Sequence, residues 1–128
     1  MPSRKQIGDS FEKEVAELIE KELRLLYWRK APAQRFHTGE IFGIADGIAF
    51  DGSDFILVQA KFDRNHNLAP VAKKFCKEAQ IIFGRQPTVP LIWFFFGNET
   101  KIQHCILEEN YTLSIMGEYE RNAKRTRA

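Results

Sequence analysis

Three polar residues stand on segments that are otherwise apolar, and their types are those that bind metal ions and phosphates. Gln59 and Lys61 come near the end of one such segment, and Asp46 lies in the segment before it. A carboxylate, an amide and an ammonium group on buried strands need partners, because burying them alone costs free energy. A metal ion and a phosphate group are partners of the right kind.

The two segments predict a β-hairpin. Ile44–Phe50 and Phe55–Phe62 have the composition of strands, and Asp51–Asp54 contains the glycine expected in a tight turn. Because side chains alternate along a strand, Gln59 and Lys61 share one face of the second strand. Pairing of the strands would bring the carboxylate of the first strand beside them.

A helix is predicted over Asp9–Leu26, where apolar residues recur at helical spacing. Asp9 is its predicted N-cap, and Glu12, three residues later, fits a capping box. Glu12 also lies within the apolar arc and could lean over the sheet toward the polar residues. These two roles are compatible.

The other segments complete one domain over residues 1–128, in the order α-β-β-β-α-β-β. The further elements are a strand near Leu26–Lys30, a helix at Leu68–Phe83, and strands at Val89–Phe96 and Lys101–Leu107. Residues 111–128 are expected to hold a short helix and then a basic, flexible tail from about residue 120.

Composition excludes several classes of protein. The chain is 44% apolar and 28% charged, as is usual for a globular domain, and its net charge is only +2. No segment resembles a signal peptide or a membrane span, so we expect no membrane partner and a cytoplasmic location. Two cysteines without paired spacing are too few for a zinc or iron–sulfur site.

The motif Asp46-x(12)-Gln59-x-Lys61, with apolar strands around it and Glu12 in a preceding helix, resembles the PD-(D/E)xK nuclease superfamily. The segment GDSFEKEV at residues 8–15, the hairpin and the length are most similar to its archaeal Holliday-junction resolvases. The similarity covers about residues 8–96. It implies an α/β fold with a restriction-endonuclease-like core, in which helices flank a central mixed β-sheet.

The resemblance also implies a Mg²⁺-dependent endonuclease, with Mn²⁺ as a substitute. The metal would be held by Asp46, the amide oxygen of Gln59, the backbone carbonyl of Ala60, and Glu12 directly or through water. Lys61 would position or deprotonate the attacking water, or stabilise charge on the phosphorane. Glu12, Asp46, Gln59 and Lys61 are thus the expected catalytic residues.

The implied partner is DNA, in particular branched DNA in recombination and repair, cut by a homodimer that supplies two sites. Basic residues would hold its phosphates, although such residues are alternatively ordinary solvated surface. The expected DNA-binding residues are Arg29, Lys30, Arg35 and His37 and, in the tail, Lys124, Arg125 and Arg127.

Gln59 departs from the family pattern, which usually has Glu or Asp at this position. A neutral amide offers an oxygen but no charge, so another carboxylate is needed to keep the metal tightly bound; Glu12 is the first candidate and Glu78 the second. Two alternative functions stay open. One is a restriction-like or repair nuclease acting on duplex or single-stranded DNA. The other is a DNA-binding protein of the same fold with weakened catalysis.

Overall fold

The computed structural model describes residues 3–29, 40–64 and 67–121. Over these ranges the chain is an α/β protein with two helices and one six-stranded mixed sheet. The elements in chain order are α1 (Arg4–Glu17), β1 (Leu26–Arg29), β2 (Gly47–Phe50), β3 (Phe55–Phe62), α2 (Leu68–Phe83), β4 (Ile92–Gly97), β5 (Lys101–Leu107) and β6 (Leu113–Glu120). A π-helical turn, Leu18–Glu22, extends α1. No helix in the described ranges is both long and apolar enough to cross a membrane.

The strands lie side by side in the order in which they occur in the chain. Neighbouring strands are antiparallel with one exception, the central pair β3 and β4, which is parallel. A parallel pair needs a crossover connection, and α2 provides it. β3 is consequently covered on both faces, as its apolar residues on both sides predict.

Each helix covers one face of the sheet. The core on the α1 side includes Phe11, Val15, Ile56, Val58 and Phe95. The core on the α2 side includes Ile44, Phe75, Ala79, Phe94 and Phe96. Because side chains alternate along β3, Val58 faces α1, whereas its neighbours Leu57 and Gln59 face α2.

The start of α1 differs from the prediction. The helix begins at Arg4, and Ser3 is its N-cap, paired with Gln6 in a capping box. The predicted N-cap Asp9 and its box partner Glu12 lie inside the helix, so that prediction is wrong. Both sites have the Ser/Asp-x-x-Gln/Glu pattern, and an apolar stripe that begins at Phe11 does not show how far a polar first turn extends.

The predicted helix after residue 111 is also wrong over the described part, because Leu113–Glu120 forms the edge strand β6. β5 offers it a row of backbone groups, and pairing with that row outweighs local preference. β2 and β4 start three residues later than predicted. The predicted bounds of α2, β3 and β5 are confirmed.

Arg121, directly after β6, ties the edge of the sheet to α1. Its guanidinium group donates to the carboxylate of Glu14, at 2.8 Å for the shortest bond, and to the carbonyl oxygen of Asn98 at 2.9 Å. The same group lies over the rings of Phe11 and Phe62, at 5.5 and 5.1 Å from their centroids. Since the Glu14 carboxylate is largely buried, this cation stabilises its charge.

We expect Arg121→Ala to lower the free energy of unfolding by about 3 kcal/mol or more, because it removes the guanidinium group that pairs with the largely buried Glu14 carboxylate. Urea denaturation followed by circular dichroism measures this loss. The matched control is Lys101→Ala, which breaks the exposed ion pair with Glu118 (3.3 Å) and should cost under about 1 kcal/mol. Equal losses in the two variants would contradict a structural role for Arg121.

Candidate active site

The β2–β3 hairpin fixes the position of Asp46. The strand ladder starts one residue after Asp46, whose own N–H donates to the carbonyl oxygen of Val58 at 2.7 Å. The register comes from the turn, where the carboxylate of Asp51 accepts the N–H groups of Asp54 (2.7 Å) and Ser53 (2.8 Å). These two bonds also lower the pKa of the Asp51 carboxyl.

One backbone donor, the N–H of Ala60, brings two oxygen atoms together. It donates to Oδ2 of Asp46 at 2.9 Å and to Oε1 of Gln59 at 3.1 Å. The two oxygens therefore lie no more than about 6 Å apart, and both side chains are buried. Because the N–H and C=O of a strand residue face the same edge, the carbonyl of Ala60 is directed to this side of β3 as well.

A residue that the sequence did not single out completes this group. Glu40 lies before the hairpin, and its Oε2 accepts a hydrogen bond from Nε2 of Gln59 at 3.3 Å. It belongs to a glycine-flanked loop segment with no apolar periodicity, so no local pattern distinguishes it from an ordinary surface carboxylate. Only the folded chain brings it to β3.

Gln59 and Lys61 line one open cavity of about 440 Å³ between the sheet and α2. Their common face follows from the alternation along β3. Glu40 and two side chains of α2, Lys74 and Glu78, also line the cavity. It thus contains carboxylate oxygens, an amide and two ammonium groups, which suits a metal ion and a phosphate together.

Glu12 lies on the other side of β3 from this cavity, because α1 packs on the face opposite Gln59. Its carboxylate is 3.9 Å from the guanidinium group of Arg29, which also donates to the carbonyl oxygen of Asp9 at 3.2 Å. Burial, then the charges of Asp46 and Glu12, raise the pKa of the Tyr27 phenol. The expected role of Glu12 as a metal ligand stays a prediction.

The expected DNA-binding residues are placed only in part. Arg29 is half-buried beside α1. Residues Lys30, Arg35, His37, Lys124, Arg125 and Arg127 lie outside the described residues. Lys74 is a second residue that sequence reasoning missed; on a helix with several lysines, periodicity alone does not indicate which one faces the sheet.

The oxygens around Ala60 are of the hard type that Mg²⁺ prefers, so the donor chemistry fits such an ion. Within residues 3–29, 40–64 and 67–121, no three His, Cys, Asp or Glu side chains are grouped so that they alone could hold a metal. Amide and backbone oxygens would have to contribute. Comparisons with models of known protein families, with curated proteins and with solved structures found no match.

The hydrogen bond from Ala60 to Asp46 can be tested through stability. Asp46→Ala and Asp46→Asn both remove the charge, but only asparagine keeps an oxygen that can accept the buried N–H. We expect Asp46→Ala to be less stable than Asp46→Asn by about 1–2 kcal/mol, measured by urea denaturation. Equal stability of the two variants would show that the bond contributes nothing to folding.

Proposed function

We propose that this protein is a metal-dependent DNA endonuclease with a restriction-endonuclease-like core, hydrolysing phosphodiester bonds. The observation that carries the proposal is the convergence of the Asp46 carboxylate and the Gln59 amide oxygen on the N–H of Ala60. Lys61, two residues further along β3, lines the same cavity as Gln59. A carboxylate and an amide oxygen can ligate a divalent ion, and a nearby lysine can act on the phosphate, which supports metal-assisted hydrolysis of a phosphodiester.

Asp46, Gln59 and the carbonyl of Ala60 would hold Mg²⁺, or Mn²⁺ in its place, with Glu12 as a further candidate. When bound, the ion lowers the pKa of a water molecule and withdraws charge from the phosphodiester. The protein's part is to hold these oxygens in place before the ion arrives. The backbone bond at Ala60 does this, because both side chains are buried and directed to one donor.

The two lysines of the cavity supply the groups that act on the phosphate. Lys61 would orient or deprotonate the attacking water, or stabilise negative charge as it develops on the phosphate oxygens. Lys74, on α2, would bind a neighbouring phosphate as a point charge. In these roles the two lysines contact phosphates and not bases, which agrees with selection of a DNA substrate by its structure.

We propose further that the substrate is branched DNA such as a Holliday junction and that the active form is a homodimer. Two symmetric cuts across a junction require two active sites related by two-fold symmetry, which a dimer supplies. Duplex or single-stranded DNA is the alternative substrate. A DNA-binding protein with weakened catalysis is the second candidate function, and the observation that favours it is the neutral amide of Gln59.

A cleavage assay on four-way junction, flap, duplex and single-stranded DNA of equal length, with Mg²⁺, Mn²⁺ or a chelator, tests the function. We expect metal-dependent cleavage, highest on the junction. Asp46→Asn and Lys61→Ala should each reduce its rate by about 100-fold or more, since each removes a group that acts on the transition state.

Lys101→Ala is the control here, because it removes an exposed lysine of β5 that does not line the cavity, and it should cut at the wild-type rate. Cleavage retained by Asp46→Asn would contradict the proposed site. Tight binding of junctions without cleavage in Mn²⁺ would favour the DNA-binding protein instead.

A further inference from the structure

The buried amide of Gln59 has two different ends, and each has its own partner. The side chain is only 4% exposed, so both ends must be satisfied within the protein. Oε1 accepts the N–H of Ala60 at 3.1 Å, and Nε2 donates to Oε2 of Glu40 at 3.3 Å. A backbone N–H can only donate and an ionised carboxylate can only accept.

These partners allow one orientation of the amide. If the amide were rotated by half a turn, its NH₂ would face the N–H of Ala60 and its oxygen would face the carboxylate of Glu40. Both contacts would then be repulsive, and the 4% exposure of Gln59 leaves its amide little access to water in place of these partners. The observed orientation directs the oxygen to the side of β3 where Asp46 lies.

We infer that Glu40 is a positioning residue: it fixes the Gln59 amide with its oxygen toward Asp46 and supplies the negative charge that a carboxylate at position 59 would otherwise bring to the metal. This inference rests on the proposed metal-dependent function. Glu40 and Gln59 together carry one negative charge and present one oriented oxygen, as a single ligating carboxylate would. The pair thereby explains how a neutral glutamine could stand where the nuclease pattern usually has a carboxylate.

The contact between Glu40 and Gln59 also determines the effect expected of Gln59→Glu alone on metal binding. A carboxylate at position 59 would face the carboxylate of Glu40 at the distance of the present hydrogen bond, and two such charges repel in a partly buried site. Adding a charge at position 59 therefore requires removing one at position 40. The exchange variant Glu40→Gln/Gln59→Glu keeps one amide and one carboxylate, with their places reversed.

Calorimetric Mn²⁺ binding to the full chain measures the effect. Glu40→Gln should weaken binding about 10-fold or more, as loss of a partner that orients a metal ligand generally does, because an amide at position 40 can donate as readily as accept. The exchange variant should bind within about threefold of wild type, since its ligating carboxylate needs no orienting partner.

Glu109→Gln is the matched control, because Glu109 is an exposed carboxylate in the turn between β5 and β6, outside the cavity lining, and its removal takes away the same charge. It should weaken Mn²⁺ binding less than about threefold, since an exposed charge outside the site is screened by solvent. Equal weakening by Glu40→Gln and Glu109→Gln, or no recovery in the exchange variant, would overturn the positioning role.

A second readout needs no metal. In the metal-free protein, the ¹⁵N–¹H resonances of the Gln59 side chain, assigned by their loss in Gln59→Leu, should move in Glu40→Gln and stay in place in Glu109→Gln. Unmoved resonances in Glu40→Gln would overturn the inference whatever the metal data show. If the wild-type protein binds no Mn²⁺ but these resonances respond as expected, the orientation holds and the proposed metal-dependent function fails.

Discussion

The N–H of Ala60 lies beyond the end of the ladder between β2 and β3, and a buried backbone donor must find an acceptor. Strand pairing supplies none there, so two side chains do, Asp46 from the neighbouring segment and Gln59 from β3 itself. This shared donor accounts for the proximity of the two oxygens. The end of the ladder is thus a place in the sheet where oxygens of two buried side chains meet.

The two helices determine which residues surround the oxygens of Asp46 and Gln59. α2, required by the parallel pairing of β3 and β4, lies over the face that carries Gln59 and Lys61, and it brings Lys74 and Glu78 to the cavity. α1 lies over the opposite face, where Arg121 holds it to the end of β6. The carboxylate that accepts the hydrogen bond from the Gln59 amide is that of Glu40, from the loop before the hairpin.

Much of this arrangement could be predicted from the sequence. The hairpin, β3, α2 and β5 follow from local patterns of apolar residues and turns, and the common face of Gln59 and Lys61 follows from strand alternation. These features depend on neighbours close in the chain. The nuclease function itself stays a proposal.

The features that could not be predicted depend on distant neighbours. β6 forms because β5 presents a free edge, which local propensity cannot reveal. Glu40 contacts Gln59 although the two are 19 residues apart, and the loop segment that contains Glu40 has no periodicity. The sequence offers two polar capping patterns for the start of α1, Ser3 with Gln6 and Asp9 with Glu12, and it does not show which of them caps the helix.

The central claim is that Asp46 and Gln59 together form a metal site, and anomalous diffraction from crystals soaked in Mn²⁺ tests it most directly. The account predicts a manganese peak at about 2.0–2.4 Å from a carboxylate oxygen of Asp46 and from Oε1 of Gln59. The amide nitrogen of Gln59 should still face Glu40. A peak bound elsewhere in the protein, or none at this position when Mn²⁺ is well above the measured dissociation constant, would contradict the claim.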